Sequence, residues 1–399
     1  MKKYLWIGVS TNDEIRRELL SYGARIMSGA VSEENLIAGV DTLTGGVMDT
    51  LNSYQYPPFP KGPLKVRRRE WKRTEGSRDV SVEYFNVKYL NHLCRKRALK
   101  KEAKRWARSL SPEDEATVFV YSMHSPFLAA ARQIKKYHKN TKVSMLVLDL
   151  PQFMDMNMSA LKRILKKIDW RAIKKNMRYV DKYVLYSRHM AEFLELKTGE
   201  WTVMEGSYDP SVLVERAERK DDGVISVMYS GVLDLRYGIK ELLDAMELLD
   251  GKYELWLTGN GNAVPLIEER AKKDPRIRYF GYFPSREELL KKQSEATMLI
   301  STRDPSEPAS RYCFPSKIFE YMISGNPVIS TVIDGIPVEY FDHLIPISDI
   351  RPETLSAKIT EIGNMDKSAR EDMGERSRRF VLENKNNVAQ MKGVLEFID

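Results

Sequence analysis

The residues best suited to chemistry are concentrated between Ser301 and Ser330. An apolar run ends near Thr302, and a polar loop carrying Arg303, Asp304, Glu307, Arg311 and Tyr312 follows. Pro315 and Ser316 then open a helix, the proline by its fixed φ and the serine as a cap residue. Gly325 closes it in the left-handed position, with Pro327 just beyond. The amino end of such a helix presents free N–H groups and the positive end of a dipole, which suits a diphosphate. Lys317 and Arg311 would neutralise its charge. Glu320, one turn in, can accept two hydrogen bonds from a ribose diol. An ordinary crossover helix carries solvated Glu and Lys too, so spacing alone leaves both readings open.

Other candidates stand just after apolar runs. His124, one of five histidines, follows Thr117–Ser122, with Ser125-Pro126 opening a helix behind it. Asp149 ends the next run in Leu148-Asp-Leu-Pro151; it either faces a binding site or caps the turn. Arg303 is a candidate for phosphate or acceptor. No Asp-x-Asp occurs, so a metal-chelated diphosphate is not supported, and neither a metal nor a cofactor is expected.

These loops need a scaffold with strands behind them. In the second half, Val224–Ser230, Tyr253–Leu257, Ile277–Phe280, Thr297–Ile300 and Pro327–Ser330 read as strands between helical stretches. The first half repeats the pattern less cleanly, at Tyr4–Val9, Val47–Asn52, Thr117–Ser122, Val143–Leu148 and Lys182–Tyr186. Repeated βαβ units build parallel sheets covered on both faces. The expected fold class is α/β: two Rossmann-like doubly wound domains facing across a cleft. Expected boundaries are 1–207 and 208–380, with 381–399 a helix packing back towards the first domain. The junction should fall within Glu205–Gly223, where Gly206, Pro210 and the charged stretch Glu215–Asp222 break the pattern. Ligands of such sheets bind beyond the carboxyl ends of the strands, where all the candidate loops lie.

Composition narrows the function classes. At 399 residues the chain exceeds what one core serves, and 42% hydrophobic with 30% charged residues describes a globular protein. No run approaches the roughly 18 apolar residues of a membrane span. Lys2 and Lys3 before Tyr4–Val9 mimic a signal peptide, but the run is too short and reads as a first strand. Cys94 and Cys313 stand alone, which fits a reducing cytoplasm. The net charge of +8 is unevenly spread: residues 1–200 hold 38 Lys+Arg against 22 Asp+Glu, and the remainder 26 against 34. The basic stretches are the loop Lys61–Arg73 and the helical patterns Lys88–Leu110 and Leu161–Arg178. The plain reading of the two helices is a core-packed face with a solvated back; the alternative is attraction to an anionic membrane surface. No nucleic-acid motif accompanies the charge, and the second half is acidic, so nucleic acid is not an expected partner.

Phe314-Pro-Ser-Lys-Ile-Phe-Glu-Tyr-Met-Ile-Ser-Gly-Asn-Pro-Val-Ile329 resembles the nucleotide-sugar segment of glycosyltransferase family 4, the retaining GT-B enzymes. It is most similar to the branch that builds bacterial exopolysaccharide, capsule or O-antigen. Tyr229-Ser-Gly231-Val-Leu-Asp-Leu-Arg236-Tyr-Gly238 resembles the family's glycine loop, Thr258-Gly259-Asn-Gly261 its TGxG turn, and Asp334-Gly-Ile-Pro-Val-Glu-Tyr340 its GIPxEY element. The likeness covers roughly 224–345 well and reaches faintly into the first half. It implies a nucleotide-sugar site of Gly231, Gly259, Gly261, Arg311, Tyr312, Ser316, Lys317 and Glu320. It also implies an acceptor-contacting histidine near His124, and loop amides from Ser28-Gly29-Ala30. The sequence departs from the family in three places. Tyr312 stands where a first Glu belongs, with Glu307 or Asp304 as substitutes, and Val232 and Tyr237 replace a phosphate-binding Arg and Lys. Arg236 is the replacement cation.

The implied reaction is retaining transfer of a hexose from a nucleotide sugar, a UDP-sugar, to a polyprenyl-diphosphate-linked or oligosaccharide acceptor. Arg236 and Lys317 would hold the β-phosphate and Glu320 the ribose, while His124, Asp149 and Arg303 would meet the acceptor. Such an enzyme would work in the cytoplasm, docked on the inner face of the membrane. The departures equally fit a catalytically silent partner subunit.

Overall fold

The strand signals become two large sheets, alongside one small two-stranded sheet, in a computed structural model, which describes residues 1–24, 28–152, 160–212, 223–283 and 285–399. One unit comprises Met1–Ser207 with Asn387–Asp399, and the other Tyr208–Asn386. The charged stretch Glu215–Asp222 lies outside the described residues.

The first unit begins with β1 (Lys2–Gly8), α1 (Asp13–Ser21), α2 (Ser28–Thr44) and β2 (Asp49–Asn52). The short strands β3 (Lys65–Val66), β4 (Arg69–Trp71), β5 (Asp79–Ser81) and β6 (Tyr84–Phe85) come next. They lead into α3 (Asn91–Ser109), β7 (Glu115–Tyr121), α4 (Ser125–Tyr137), β8 (Thr141–Val147) and α5 (Ala160–Met177). The unit's sheet is completed by β9 (Lys182–Leu185), α6 (His189–Phe193) and β10 (Trp201–Val203). Among the described residues the sheet order is β10-β9-β8-β7-β1-β2-β5-β4, parallel except where β4 meets β5. Strand order reverses at β1, between β2 and β7, which makes the carboxyl ends of β1 and β7 the switch point of this sheet. Ser28-Gly29-Ala30 belongs to helix α2, not to an open glycine loop.

The second unit contains β11 (Ile225–Val232), α7 (Ile239–Ala245), β12 (Tyr253–Asn260), α8 (Val264–Lys273), β13 (Ile277–Tyr279) and α9 (Arg286–Glu295). It continues with β14 (Met298–Ser301), α10 (Lys317–Ile323), β15 (Val328–Thr331), β16 (Ile345–Ile347), α11 (Pro352–Gly363) and α12 (Lys367–Asn384). The described strands run β13-β12-β11-β14-β15-β16, every pair parallel. This is the doubly wound order, with its switch point between β11 and β14. Period-2 alternation covers both faces. Val227, Tyr229, Leu255 and Leu257 meet Ile239, Leu242 and Leu243, whereas Met228, Leu299 and Val328 meet Phe314, Ile318 and Tyr340.

The last helix, α13 (Asn387–Ile398), lies with the first unit, where Met391, Val394 and Ile398 join Trp6, Leu36, Ile37 and Phe119 in one core. Residues 381–386, grouped with that segment from sequence, finish the second unit.

Two basic stretches differ from expectation. Lys61–Arg73 is not an open loop: it holds β3 and β4, and three of its four arginines are matched by carboxylates. Arg68 pairs with Glu70 and Glu102, Arg69 with Glu14 and Glu18, and Arg73 with Asp41 and Asp79. In α5 Ile173 is buried and Trp170, Ala172 and Met177 are half-buried, whereas Ile164, Leu165 and Ile168 stay exposed among Arg163, Lys167 and Arg171. Leu161 lies outside the described side chains.

Candidate functional site

Beside the switch point of the second unit, the ends of β11 and β12 come so close that only glycine fits at Gly259. Gly231 and Gly259 are in register on β11 and β12. A Cβ on Gly259 would stand 1.8 Å from the Gly231 carbonyl oxygen, and one on Gly261 2.0 Å from that of Leu233. Gly259 also has φ +131°, closed in practice to other residues. The open side of Gly231 faces Lys317, whose Cγ would be 3.8 Å from a Cβ there. The first residue of α10 thus lies against the end of β11.

Buried Tyr321 holds this placement. Its hydroxyl is bonded to both backbone groups of Ser230, whose side chain accepts from Gln293 Nε2 at 2.7 Å. Burial pushes the Tyr321 pKa up to about 12, so it stays a neutral donor.

Glu320 is enclosed by cations. Lys317 Nζ lies 2.7 Å from its Oε2, and Arg286 Nε, from α9, lies 3.7 Å from its Oε1. The Glu320 side chain is 15% exposed and Lys317 41%, so the carboxylate is shielded while the ammonium is open to a ligand. Sequence reading missed Arg286, which lies in a charged helix with nothing local to distinguish it.

The helix end itself differs from expectation. Ser316 occupies the cap position with helical dihedrals, and its side chain makes no capping bond. The amides of Ile318 and Phe319 bond back to the carbonyls of Pro315 and Ser316 at 2.9 and 3.3 Å. That tight first turn leaves fewer open N–H groups than a regular helix presents, so side chains must supply most of any anion binding here.

The two candidate arginines are placed differently. Arg236 is 57% exposed and bound through Nε and Nη2 to Asp234 Oδ1 and Oδ2, at 3.0 and 2.9 Å. That hydrogen bonding raises the Arg236 pKa and holds Asp234 down at about 2. Arg303, directly after β14, stacks on the Tyr237 ring at 4.6 Å, and no described carboxylate lies within ion-pair distance of it. Its loop is fixed by Thr331 Oγ1 donating to the Arg303 carbonyl at 2.6 Å and by Thr302 Oγ1 donating to that of Tyr237 at 2.7 Å. Among the described residues at the switch point, Arg303 is therefore a guanidinium with no carboxylate in ion-pair reach.

Arg311 and Tyr312 share the turn Pro308–Tyr312, with Arg311 Nε 3.6 Å from Asp334 Oδ2. Asp304 Oδ1 accepts from the backbone and hydroxyl of Ser306 at 2.8 and 2.7 Å, a local turn bond.

In the first unit His124 stands at the carboxyl end of β7, beside the switch point, stacked edge-on against Phe127 at 5.4 Å. The preceding Ser122 has φ +76°, a sharp turn that lifts the loop off the strand. His124 has exposed surface, while desolvation by the surrounding protein and the nearby Arg95 charge depress its pKa to about 4, so it is a neutral imidazole near pH 7. Behind it Ser125 Oγ lies 3.0 Å from His92 Nε2 and donates to Asp169 Oδ1. Burial opposes ionisation of Asp169, but the bonds from His92 and Ser125 outweigh it and keep its pKa low. The His92 and Asp169 partners come from other helices and left no local signal in the sequence. Asp149 is exposed after β8, and its charge acts on Tyr121 and Tyr186.

The loop after β1 is held by Glu33. Its buried carboxyl accepts from Trp6 Nε1 at 2.9 Å and from the amides of Val9 and Ser10 at 2.8 and 3.1 Å. Among the described residues no cluster of His, Cys, Asp and Glu is arranged to hold a metal ion, and no described helix is long and apolar enough to cross a membrane.

Residues 225–364 match the family model described as glycosyl transferases group 1. No curated protein matches the chain by sequence. Solved structures similar along the whole chain include the sucrose-phosphate synthase of Thermosynechococcus elongatus, at TM-score 0.64 and 15% identity, covering 99% of this chain and 98% of that one. A trehalose-6-phosphate structure from E. coli bound with UDP-2-fluoro glucose aligns at TM-score 0.65 and 11% identity, covering 100% and 99%. The lipopolysaccharide outer core galactosyltransferase WaaB aligns at 0.62 and 13%, covering 100% and 99%. The fold is accordingly that of GT-B glycosyltransferases, α/β with two parallel sheets.

Proposed function

We propose that this protein is a glycosyltransferase that takes a hexose from a nucleotide sugar, a UDP-sugar, and passes it with retention to a lipid-linked or growing polysaccharide acceptor. The observation that carries the reading is Glu320 held between Lys317 and Arg286, with Lys317 against Gly231 at the switch point of the second unit. That arrangement sets the remaining exposed face of a carboxylate, for a ribose diol, beside an ammonium open to a diphosphate. The match of residues 225–364 to the group 1 model and the UDP sugar bound in the E. coli relative favour the same ligand.

In the proposed reaction Lys317 and Arg303 stabilise charge that grows on the departing diphosphate, which is electrostatic catalysis without a metal ion or cofactor. Arg236 joins them only by releasing Asp234. The bond from the sugar C1 to the phosphate oxygen breaks, the acceptor oxygen bonds to C1 on the same face, and its proton passes to the β-phosphate oxygen. Neutral His124 and, further along the same edge, Asp149 position the acceptor in the first unit. On this reading the protein works in the cytoplasm at an anionic membrane surface, which α5 meets with Ile164, Leu165 and Ile168.

The test is calorimetric titration with UDP, GDP and dTDP and their sugars. UDP should bind, and Glu320→Ala should weaken it by one to two orders of magnitude, about 1.5–3 kcal/mol for hydrogen bonds to a charged group. Unchanged affinity in that variant removes Glu320 from the site, and no binding of any donor overturns the reading. A protein that binds UDP-sugars but turns none over on lipid-linked acceptors is the silent subunit that Tyr312, Val232 and Tyr237 also allow. Product NMR of the anomeric centre decides retention.

A further inference from the structure

The carboxyl edge of the first sheet carries a cation that the donor site does not use. Arg95 reaches from α3 to the loop after β2, where Nε donates to Ser53 Oγ at 2.9 Å and Nη2 to the Ser53 carbonyl at 3.0 Å. Both acceptors are uncharged. No described carboxylate lies within ion-pair distance of Arg95, whereas Arg68, Arg69 and Arg73 in the same unit each pair with two. Taking a guanidinium partly out of water without a counter-ion is costly, and burial here indeed lowers its pKa. The two bonds to Ser53 fix one edge of the fork and leave the Nη1 donors without a described partner.

Its neighbours share its sign or are already engaged. Arg95 and His92 both act electrostatically on His124, each disfavouring its protonation. The carboxylate that acts on His124 from the other side, Asp169, already takes the Ser125 hydroxyl and lies 3.3 Å from His92 Nε2. The spot holds one fixed cation and two imidazoles able to become cations, against one occupied carboxylate.

We propose that Arg95, with His124 beside it, forms a subsite for an anionic oxygen group, a phosphoryl or a carboxylate, on the acceptor. The proposal rests on the reading of the first unit as the acceptor domain. A planar fork with one edge pinned presents its free donors in the geometry that two oxygens of such a group accept. The incoming anion supplies the counter-charge that Arg95 lacks, and it favours the imidazolium form of His124.

The experiment follows the imidazole resonances of the full chain saturated with UDP, so that the donor site is filled, while inorganic phosphate and then acetate are added against a chloride control. Phosphate should shift His92 and His124 and raise the His124 pKa. Arg95→Met should weaken that response at least tenfold at unchanged UDP affinity, and Arg95→Lys should restore part of it. Silence of both resonances up to ~50 mM phosphate, far above a millimolar Kd, overturns the subsite, as does a response confined to other histidines. If Arg95→Met does not fold, the wild-type titration still decides. If UDP itself fails to bind, the donor reading falls, and the phosphate titration is scored independently.

Discussion

The hydroxyl of Tyr321 spans both backbone groups of Ser230, accepting from its N–H at 2.9 Å and donating to its C=O at 2.7 Å. A side chain of α10 thereby substitutes for a strand neighbour at the end of β11. The same helix begins at Lys317, so this bond pair helps hold Lys317 beside Gly231.

Tyr321→Phe removes both bonds and leaves two buried backbone groups unpaired. The expected cost is about 1–3 kcal/mol of unfolding free energy, read from urea denaturation. UDP affinity should fall as well, although Tyr321 itself is buried away from ligand. Unaltered stability would show that α10 is held by its apolar packing alone.

Gly259→Ala places a methyl group inside van der Waals contact of the Gly231 oxygen, at a φ that alanine avoids. Roughly 2–4 kcal/mol of stability should be lost, and nucleotide binding with it. Gly251→Ala is the control, since nothing lies within 4 Å of a Cβ there, and it should melt as the wild type does.

Two groups with displaced pKa values, buried Glu33 and His124, whose surface is exposed, give opposite pH dependences. Glu33 has its folded pKa raised to about 8 by burial, so its stabilising contribution is whole below about pH 4.5 and drains away as pH rises through 8. Glu33→Gln should flatten that decline in urea midpoints between pH 5 and 8.5. His124 is depressed to about 4, so its contribution is present above about pH 6.5 and is lost as pH falls towards 4. An NMR titration placing the His124 pKa at or above 6.5 would contradict the structure.

Sedimentation with vesicles tests α5. The wild type should favour anionic over neutral vesicles, and replacing Ile164, Leu165 and Ile168 together by serine should reduce binding at least tenfold, since each buried aliphatic chain contributes roughly 1.5–3 kcal/mol. Equal partition between the two vesicle types would dismiss the membrane contact.

Much of this was legible in the sequence because β-branched runs and glycine punctuation are local signals. The runs Val224–Ser230, Tyr253–Leu257, Thr297–Ile300 and Pro327–Ser330 became β11, β12, β14 and β15, with starts within one residue and ends within three. Of the strands of two or three residues, β13 was read because Gly281 punctuates its apolar run, whereas β3 to β6, β10 and β16 were missed for want of such a mark. Charge was the weakest guide. Lys61–Arg73 reads as a free basic loop until Glu14, Glu18, Asp41, Asp79 and Glu102 arrive from elsewhere in the chain. Arg95 was hidden in the reverse sense: within Arg95-Lys-Arg it looks like its neighbours, and only the fold leaves it without a carboxylate. The family likeness pointed to Lys317 and Glu320. The preference for Arg303 over Arg236 at the phosphate depends on Asp234 being two residues from one and out of reach of the other, a matter of rotamers.

The position of α13 has a practical consequence for dissecting the protein. A Cβ on Gly39, in α2, would stand 2.4 Å from the Asn387 carbonyl oxygen, and Met391, Val394 and Ile398 complete the apolar layer over Trp6. Residues 1–207 expressed alone would carry that layer bare to water and aggregate. A soluble half-protein for acceptor studies needs the last thirteen residues grafted on through a linker, while 208–386 can be made as one uninterrupted piece.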